Sequence, residues 1–293
     1  MIPLYKNDYL RPIVHGKNFT VEIDPLPSKF NNLYVESCQA AEELYNLKQG
    51  KFYILYSGGI DSEHCLSVFL SLGMDVTPVI IKLNPGYNDH DTKFAFNFCQ
   101  EKNLNPVVID IDYDDFVTSG KLLQISQEMK SSTFGRAHVA YAASLLDGTV
   151  ILGDGQPYIR LNKADNTWYM IEEEHDFSVY NYFKLKGIHG TAHFNRFTPG
   201  MFASYMLDPR MIELANNQHN GKLSNNTSRH LIYNRHSNFN LAPRYKFHGF
   251  EYRHQHKIFS HPDFAEVYKI GQAYNGYMAI NYHNFIKQYI RDE

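Results

Sequence analysis

The sequence predicts an α/β fold: a doubly wound parallel sheet of about five strands, with an N-terminal extension and a largely helical C-terminal region. Three observations carry that expectation. An apolar run, Phe52-Tyr53-Ile54-Leu55-Tyr56, stops abruptly at Ser57-Gly58-Gly59 and passes straight into a helical pattern. Short apolar runs then alternate with helical stretches from residue 76 to residue 152, the rhythm of right-handed βαβ crossovers that enclose a parallel sheet between two helical layers. A second glycine pair, Gly153-Asp154-Gly155, closes another apolar run. It therefore falls at a carboxyl strand end, where open α/β sheets collect ligands.

Residues 1–34 hold Pro3, Pro12, Pro25 and Pro27 among short alternations such as Phe19-Thr20-Val21-Glu22-Ile23, which predicts an extended leader with a hairpin. Residues 35–48 favour a helix, and Gly50 supplies its stop. After the strand 52–56, Asp61 and Ser62 suit a first helical turn, Cys65, Leu66, Phe69, Leu70 and Leu72 recur on one face, and Gly73 ends the helix. Strands are expected over 76–83 and 106–111, with a helix over 89–103 between them. Asp110, Asp112, Asp114 and Asp115 form an acidic cluster, with Asp114 or Asp115 expected to cap the next helix. Residues 116–130 and 136–146 read as helices and 149–152 as a fourth core strand. Beyond Leu161 strand signals fade, and Glu172-Glu173-Glu174 reads as a solvated edge. Residues 263–290 return to helical patterning around Tyr274, Tyr277, Tyr282, Phe285 and Tyr289. The expected divisions are an extension over 1–50, a nucleotide-binding α/β domain over 51–175 and a mainly helical region over 176–293 that completes the active site.

The chemistry concentrates at Ser57–Ser62. Gly58 and Gly59 lack a Cβ, so the backbone can adopt positive φ and turn its N–H groups into a concavity at the positive end of the new helix. Such a pocket favours a polyphosphate. Ser57 and Ser62 add hydroxyl donors, whereas the carboxylate of Asp61 only accepts and belongs beside phosphates only with a hard cation between them, which implies Mg²⁺. The loop lacks the lysine and spacing of G-x-x-x-x-G-K-[ST], which separates it from the Walker type.

Composition bounds the rest. The formal charge of −3 gives no general attraction to nucleic acid or to an anionic membrane, so any polyanion contact must be local. Cys38, Cys65 and Cys99 have neither C-x-x-C nor zinc spacing, and with no long apolar run or signal pattern the expectation is a cytoplasmic protein. The 22 Tyr and 20 Phe suit either an aromatic pocket for a planar substrate or a half-buried core with polar tips. His189 and His193 have helical i, i+4 spacing, but Gly187 and Gly190 oppose a helix and no third ligand is visible, which argues against a metal pair. His254 and His256, beside Arg253 and Lys257, could contact a phosphate but also read as surface histidines.

Ser57-Gly58-Gly59-Ile60-Asp61-Ser62 resembles the S-G-G-x-D-S signature of the PP-loop ATP pyrophosphatases, which cleave ATP between its α- and β-phosphates and use the adenylyl group to activate a substrate. The resemblance implies the HUP/PP-loop version of the fold, with ATP and Mg²⁺ at Leu55, Ser57, Gly58, Gly59, Asp61, Ser62, Ile81 and Gly153. Within that superfamily the chain is most similar to the synthetase domain of asparagine synthetase, in which a strand ends in S-G-x-G-A-D-E. Gly153, Asp154 and Gly155 match its G-x-G and first acidic position, while Pro157 and Tyr158 replace the Asp-Glu pair and put the second metal carboxylate in doubt. Residues 202–215 look like the family's P-F-L-D-x-R-L-V-E-F-A segment, with Asp208 as cap and Pro209 at the first helical position. Arg244-Tyr245-Lys246-Phe247-His248-Gly249-Phe250 is similar to the late R-x-K-x-x-F segment, which implies Lys246 as the electrophilic group at the pyrophosphate.

The resemblance implies an AMP-forming ligase that adenylates a carboxylate and passes the acyl group to an amine or ammonia, with Asp61, Asp154 and Lys246 catalytic and Asp61 and Asp154 on the metal. Ile2 stands where a glutamine-dependent synthetase has its catalytic cysteine, and only residues 1–50 precede the nucleotide domain. The expected nitrogen source is therefore free ammonia, a separate amidase partner or an amine substrate. Two alternatives stay open: a PP-loop enzyme that modifies a nucleobase, by tRNA thiolation or 7-cyano-7-deazaguanine synthesis, and an ATP-binding protein without catalysis.

Overall fold

The computed structural model describes residues 7–15, 18–211, 213, 229–242, 256–272 and 277–291. In chain order, an antiparallel hairpin of β1 (Leu10–His15) and β2 (Asn18–Ile23) leads through β3 (Leu26–Pro27) to α1 (Leu33–Asn46). The α/β unit follows as β4 (Phe52–Leu55), α2 (Ile60–Ser71), β5 (Thr77–Asn84), α3 (Asp89–Glu101), β6 (Val107–Asp112), α4 (Tyr113–Thr118), α5 (Lys121–Met129), α6 (Ala137–Ser144) and β7 (Thr149–Leu152). The chain continues through β8 (Tyr158–Asn162), β9 (Thr167–Glu173), α7 (Ser178–Lys186), β10 (Gly190–Thr191) and α8 (Pro199–Met206). Its remaining described elements are α9 (His230–Tyr233), α10 (Pro262–Gln272), β11 (Tyr277–Asn281), α11 (Tyr282–Tyr289) and β12 (Ile290–Arg291).

The protein is α/β, built on a five-stranded sheet of order β10-β7-β4-β5-β6 in which every pairing is parallel. All residues of β4 and β7 are buried, as central strands covered on both faces require. Alternation along β4 divides the packing: Phe52, Ile54 and Tyr56 enter one core, while Tyr53 and Leu55 enter the other. The first core packs against α1, α2 and α3 through Ala40, Leu44, Leu66, Phe69, Ala95 and Phe98. The second packs against α4 to α7 and α10 through Phe116, Ile125, Ala140, Phe183 and Val267. Helices on both faces are compatible with a doubly wound fold. Val107 and Val108 remain exposed because β6 is the edge strand.

Several expectations need correction. The helix expected over 116–130 breaks at Ser119-Gly120, where Gly120 takes φ +77°, and its first part begins earlier, at Tyr113. The N-cap there is Asp112, whose side chain accepts from the Asp115 N–H; Asp114 and Asp115 lie inside the first turn. Strand structure does not fade after Leu161. Residues 158–162, 167–173 and 277–281 form an antiparallel sheet of order β11-β9-β8, so Tyr277 belongs to a strand and the C-terminal region is less helical than expected. A partner strand over a hundred residues away in sequence leaves no local trace of that pairing. Glu172 is fully buried, not part of a solvated edge. Among the described residues, no helix is long and apolar enough to cross a membrane.

Candidate active site

Strand order reverses between β4 and β7, because the chain moves outward through β5 and β6 and then returns to the other side of β4. The carboxyl ends of these two strands should therefore border a crevice. A cavity of about 820 Å³ opens there, lined by Leu55, Ser57, Gly59, Asp61, Ser62, Ile81, Gly153 and Asp154. Its volume is in the range of small-molecule sites, roughly 300–1,000 Å³. The structure thus brings together all but two of the residues assigned from sequence to the ATP, metal and catalytic site. Gly58 does not line the cavity. Lys246 and the segment around it lie outside the described residues, as does His254.

The first wall is the turn from β4 into α2. The ladder extends one residue past the strand, with the Tyr56 N–H donating to the Val79 carbonyl at 2.8 Å. The chain then turns at Gly58, φ +77°. A Cβ at Gly58 would stand 2.9 Å from both the Ala95 nitrogen and the Asp91 carbonyl oxygen. The expected positive φ is present at Gly58, and the missing Cβ also allows α3 to pack against the loop. Gly59 is the N-cap of α2 and offers no side-chain oxygen to the first turn. By contrast, α1 and α8 are capped by Asn32 and Thr198. The start of α2 therefore retains N–H groups for an external acceptor. Ser57 and Ser62 face each other there, with hydroxyl oxygens 3.1 Å apart.

Asp61, about a quarter exposed, carries two contacts from remote sequence. Arg229 Nη1 donates to one carboxylate oxygen at 2.8 Å and the Tyr233 hydroxyl to the other at 2.6 Å. The Gln156 amide faces Arg229, and the orientation that satisfies both groups has its oxygen accept from Arg229 Nη2 at 3.1 Å. The Tyr233 ring stacks on His64, with centroids 4.2 Å apart and planes 13° from parallel. His64 Nδ1 lies 3.1 Å from Asn195 Oδ1, and Asn195 Nδ2 donates to the Gly153 carbonyl at 2.9 Å. This polar chain ties the two walls together behind the cavity. Burial depresses the His64 pKa to about 4 despite the Asn195 hydrogen bond, so the imidazole is neutral at pH 7.

The second wall is Gly153-Asp154-Gly155. A Cβ on Gly153 would lie 2.7 Å from Cys65 Cβ and from Ser62 Cα. The close approach that requires glycine here is to the first turn of α2, and the same residue lines the cavity. Asp154 is paired with Arg136. Burial alone would raise the Asp154 pKa, but Arg136, His193 and the Gly155 N–H outweigh it and hold the carboxyl at about 2. Behind this loop Arg196 donates through Nε to the Gly155 carbonyl and pairs through Nη1 with Glu172 at 2.6 Å; the side chains are 2% and 0% exposed. Pro157 and Tyr158, at the positions of the expected Asp-Glu pair, lead into β8.

Sequence reasoning missed Arg136, Arg229, His138 and His175, all of which line the cavity, and Tyr233. No local signal could have found Arg229, whose partner is 168 residues away. The His189 and His193 rings turn to backbone carbonyls, those of Leu47 and Asp176. Among the described residues, one group of three donor side chains is compact enough to share an ion: Glu173, His175 and Asp176, with His175 at the cavity wall. No family model matches the chain, and a search of curated proteins returns no match.

Proposed function

We propose that the protein is a cytoplasmic, ATP-dependent, AMP-forming ligase of the PP-loop ATP pyrophosphatase type, similar to the asparagine-synthetase branch, acting on a small-molecule carboxylate and on ammonia or an amine. One observation supports this most: the Ser-Gly-Gly-x-Asp-Ser turn and the Gly-Asp-Gly turn face one cavity across the point where strand order reverses. The residues present fit a nucleotide with a divalent cation. A helix start without a side-chain cap and two hydroxyls suit phosphate oxygens. Two carboxylates, Asp61 and Asp154, suit a hard cation, and Leu55, Val79, Ile81 and Leu152 offer an apolar wall to a base.

In this reading Ser57, Gly59 and Ser62 hold the phosphates, while Asp61 and Asp154 would hold Mg²⁺, which when bound supplies charge stabilisation for the departing pyrophosphate. Asp154, with its pKa near 2, is a charged group throughout the physiological range and so orients cations and donors; it does not act as a proton donor. Lys246 is the proposed electrophile for charge that develops during acyl transfer. The engagement of both carboxylates by guanidinium groups favours a second reading, an ATP-binding protein without catalysis. Pyrophosphate release, assayed with carboxylates plus ammonia or amines and with nucleobases, separates the readings. The ligase releases pyrophosphate only with a carboxylate partner, a base-modifying enzyme only with a base, and a binder with neither.

A further inference from the structure

Two guanidinium groups share the cavity with the carboxylates proposed above as cation ligands. Arg229 is 7% exposed along its side chain and directs Nη1 at Asp61. Arg136, 29% exposed, directs Nη1 at Asp154, and the charges of Asp176 and Asp61 add to the field that keeps it protonated. The two cations thus hold the carboxylates proposed above for the metal ion. From this geometry we infer an ion-pair exchange: Arg136 and Arg229 are receptors for the polyphosphate of a nucleoside triphosphate, held in reserve by Asp154 and Asp61, and they turn to the phosphates when a divalent cation takes the carboxylates.

The inference rests on the proposed role of Asp61 and Asp154, and it follows from charge balance in a partly buried site. A divalent cation arriving alone would take from two guanidinium groups their paired carboxylates, which is costly away from bulk water. A polyphosphate arriving alone would meet two carboxylates. Arriving together, the metal satisfies the carboxylates and the phosphates satisfy the arginines. Guanidinium suits this second partner because its planar fork donates to phosphate or carboxylate oxygens in the same bidentate way. The arrangement makes metal and nucleotide affinity mutually dependent, and by linkage the enhancement must be equal in both directions. Arg196 cannot take part, because its pair with Glu172 is closed to solvent.

Titration calorimetry with Mn²⁺ alone, ATP alone and both together tests the exchange on the wild type and on Arg229→Gln and Arg136→Gln. Removing a guanidinium leaves its carboxylate without the paired positive charge, so Mn²⁺ without nucleotide should bind each variant about tenfold more tightly. ATP with Mn²⁺ should bind about 10–100-fold more weakly, the loss expected for one charge-assisted contact. Arg229→Lys keeps the charge but loses the fork, so it should weaken ATP while leaving Mn²⁺ alone as weak as in the wild type. The opposite signs are the signature, since a merely structural role would weaken both. Circular dichroism confirms folding, and Arg136→Gln carries the test if Arg229→Gln does not fold. Folded variants whose nucleotide-free Mn²⁺ affinity is unchanged or lower overturn the exchange while wild-type ATP binding leaves the proposed function standing. A wild type that binds no ATP with or without Mn²⁺ overturns both.

Discussion

The molecule contains arginine–carboxylate pairs of one chemistry in two settings. Arg196–Glu172 is sealed between the Gly155 loop and β9, with both side chains at most 2% exposed. Arg136–Asp154 and Arg229–Asp61 stand on the wall of the cavity, with carboxylates about a quarter exposed. Burial decides what each can do. The sealed pair has no access to a competing ion, so it fixes the position of the Gly155 carbonyl and of β9. The cavity pairs are open to what enters, as the proposed exchange requires. Identical contacts therefore define a scaffold in one place and a site in the other.

The largest expected effect breaks the sealed pair. Glu172→Ala leaves Arg196 charged and unpaired in the interior and should cost about 3–5 kcal/mol, read by urea unfolding. Asp154→Asn, in the cavity, should cost about 1 kcal/mol, nearer the value of a partly hydrated pair. Equal losses would abolish the distinction.

Next in size is a pH effect at His193, which lies between the two settings. Burial, then Arg196, lower its pKa to about 4 against the opposing pull of Asp154. The unfolded chain takes up this proton near pH 6.5, whereas the folded state resists it to about pH 4, so stability must fall as pH drops through that window. His64, also near 4, adds to the loss in the same sense. Each contributes on the order of 3 kcal/mol at full shift. Thermal unfolding between pH 7 and 4.5 should show this decline, with a shallower slope in His193→Gln. The Asp154 contribution has the same sign in a lower window: its depressed pKa keeps its stabilisation intact above about pH 4 and loses it as pH falls toward about 2. A decline confined below pH 4 would assign the effect to the carboxylate instead.

A smaller effect is expected at Gly153→Ala, about 1–3 kcal/mol for overpacking against Cys65 and Ser62. Nucleotide affinity should drop with it, because the added methyl group displaces the first turn of α2. Denaturation together with ATP titration checks both, and an unchanged affinity would detach this glycine from the site.

The parts of the fold that the sequence made legible are those built from neighbours. Residues 52–62 announce strand, turn and helix through local composition, and the βαβ rhythm needs only short-range periodicity. The sheet around β9 was not legible, because its partners include Tyr277–Asn281 and strand pairing is not encoded locally. Glu172 misled because three successive glutamates look solvated, while residues 170–172 of β9 are buried in succession and Glu172 pairs with Arg196. The same division runs through the site. Ser57, Asp61 and Ser62 come from one motif, whereas Arg229 and Tyr233 reach Asp61 from far along the chain and Arg136 approaches Asp154 from the turn before α6. The motif named the carboxylates but not the cations that hold them.

In the proposed function, Asp61 joins a divalent cation to a nucleotide at the start of α2. The most direct test is the thermal stabilisation of wild type and Asp61→Asn by ATP with and without Mg²⁺. Wild type should gain stability from ATP and gain markedly more when Mg²⁺ is present. Asp61→Asn should keep or exceed the metal-free part, which rests on backbone N–H groups and hydroxyls and is joined by the released Arg229, and lose the Mg²⁺-dependent part. An equal Mg²⁺-dependent gain in both proteins, or no gain in the wild type, would contradict the claim.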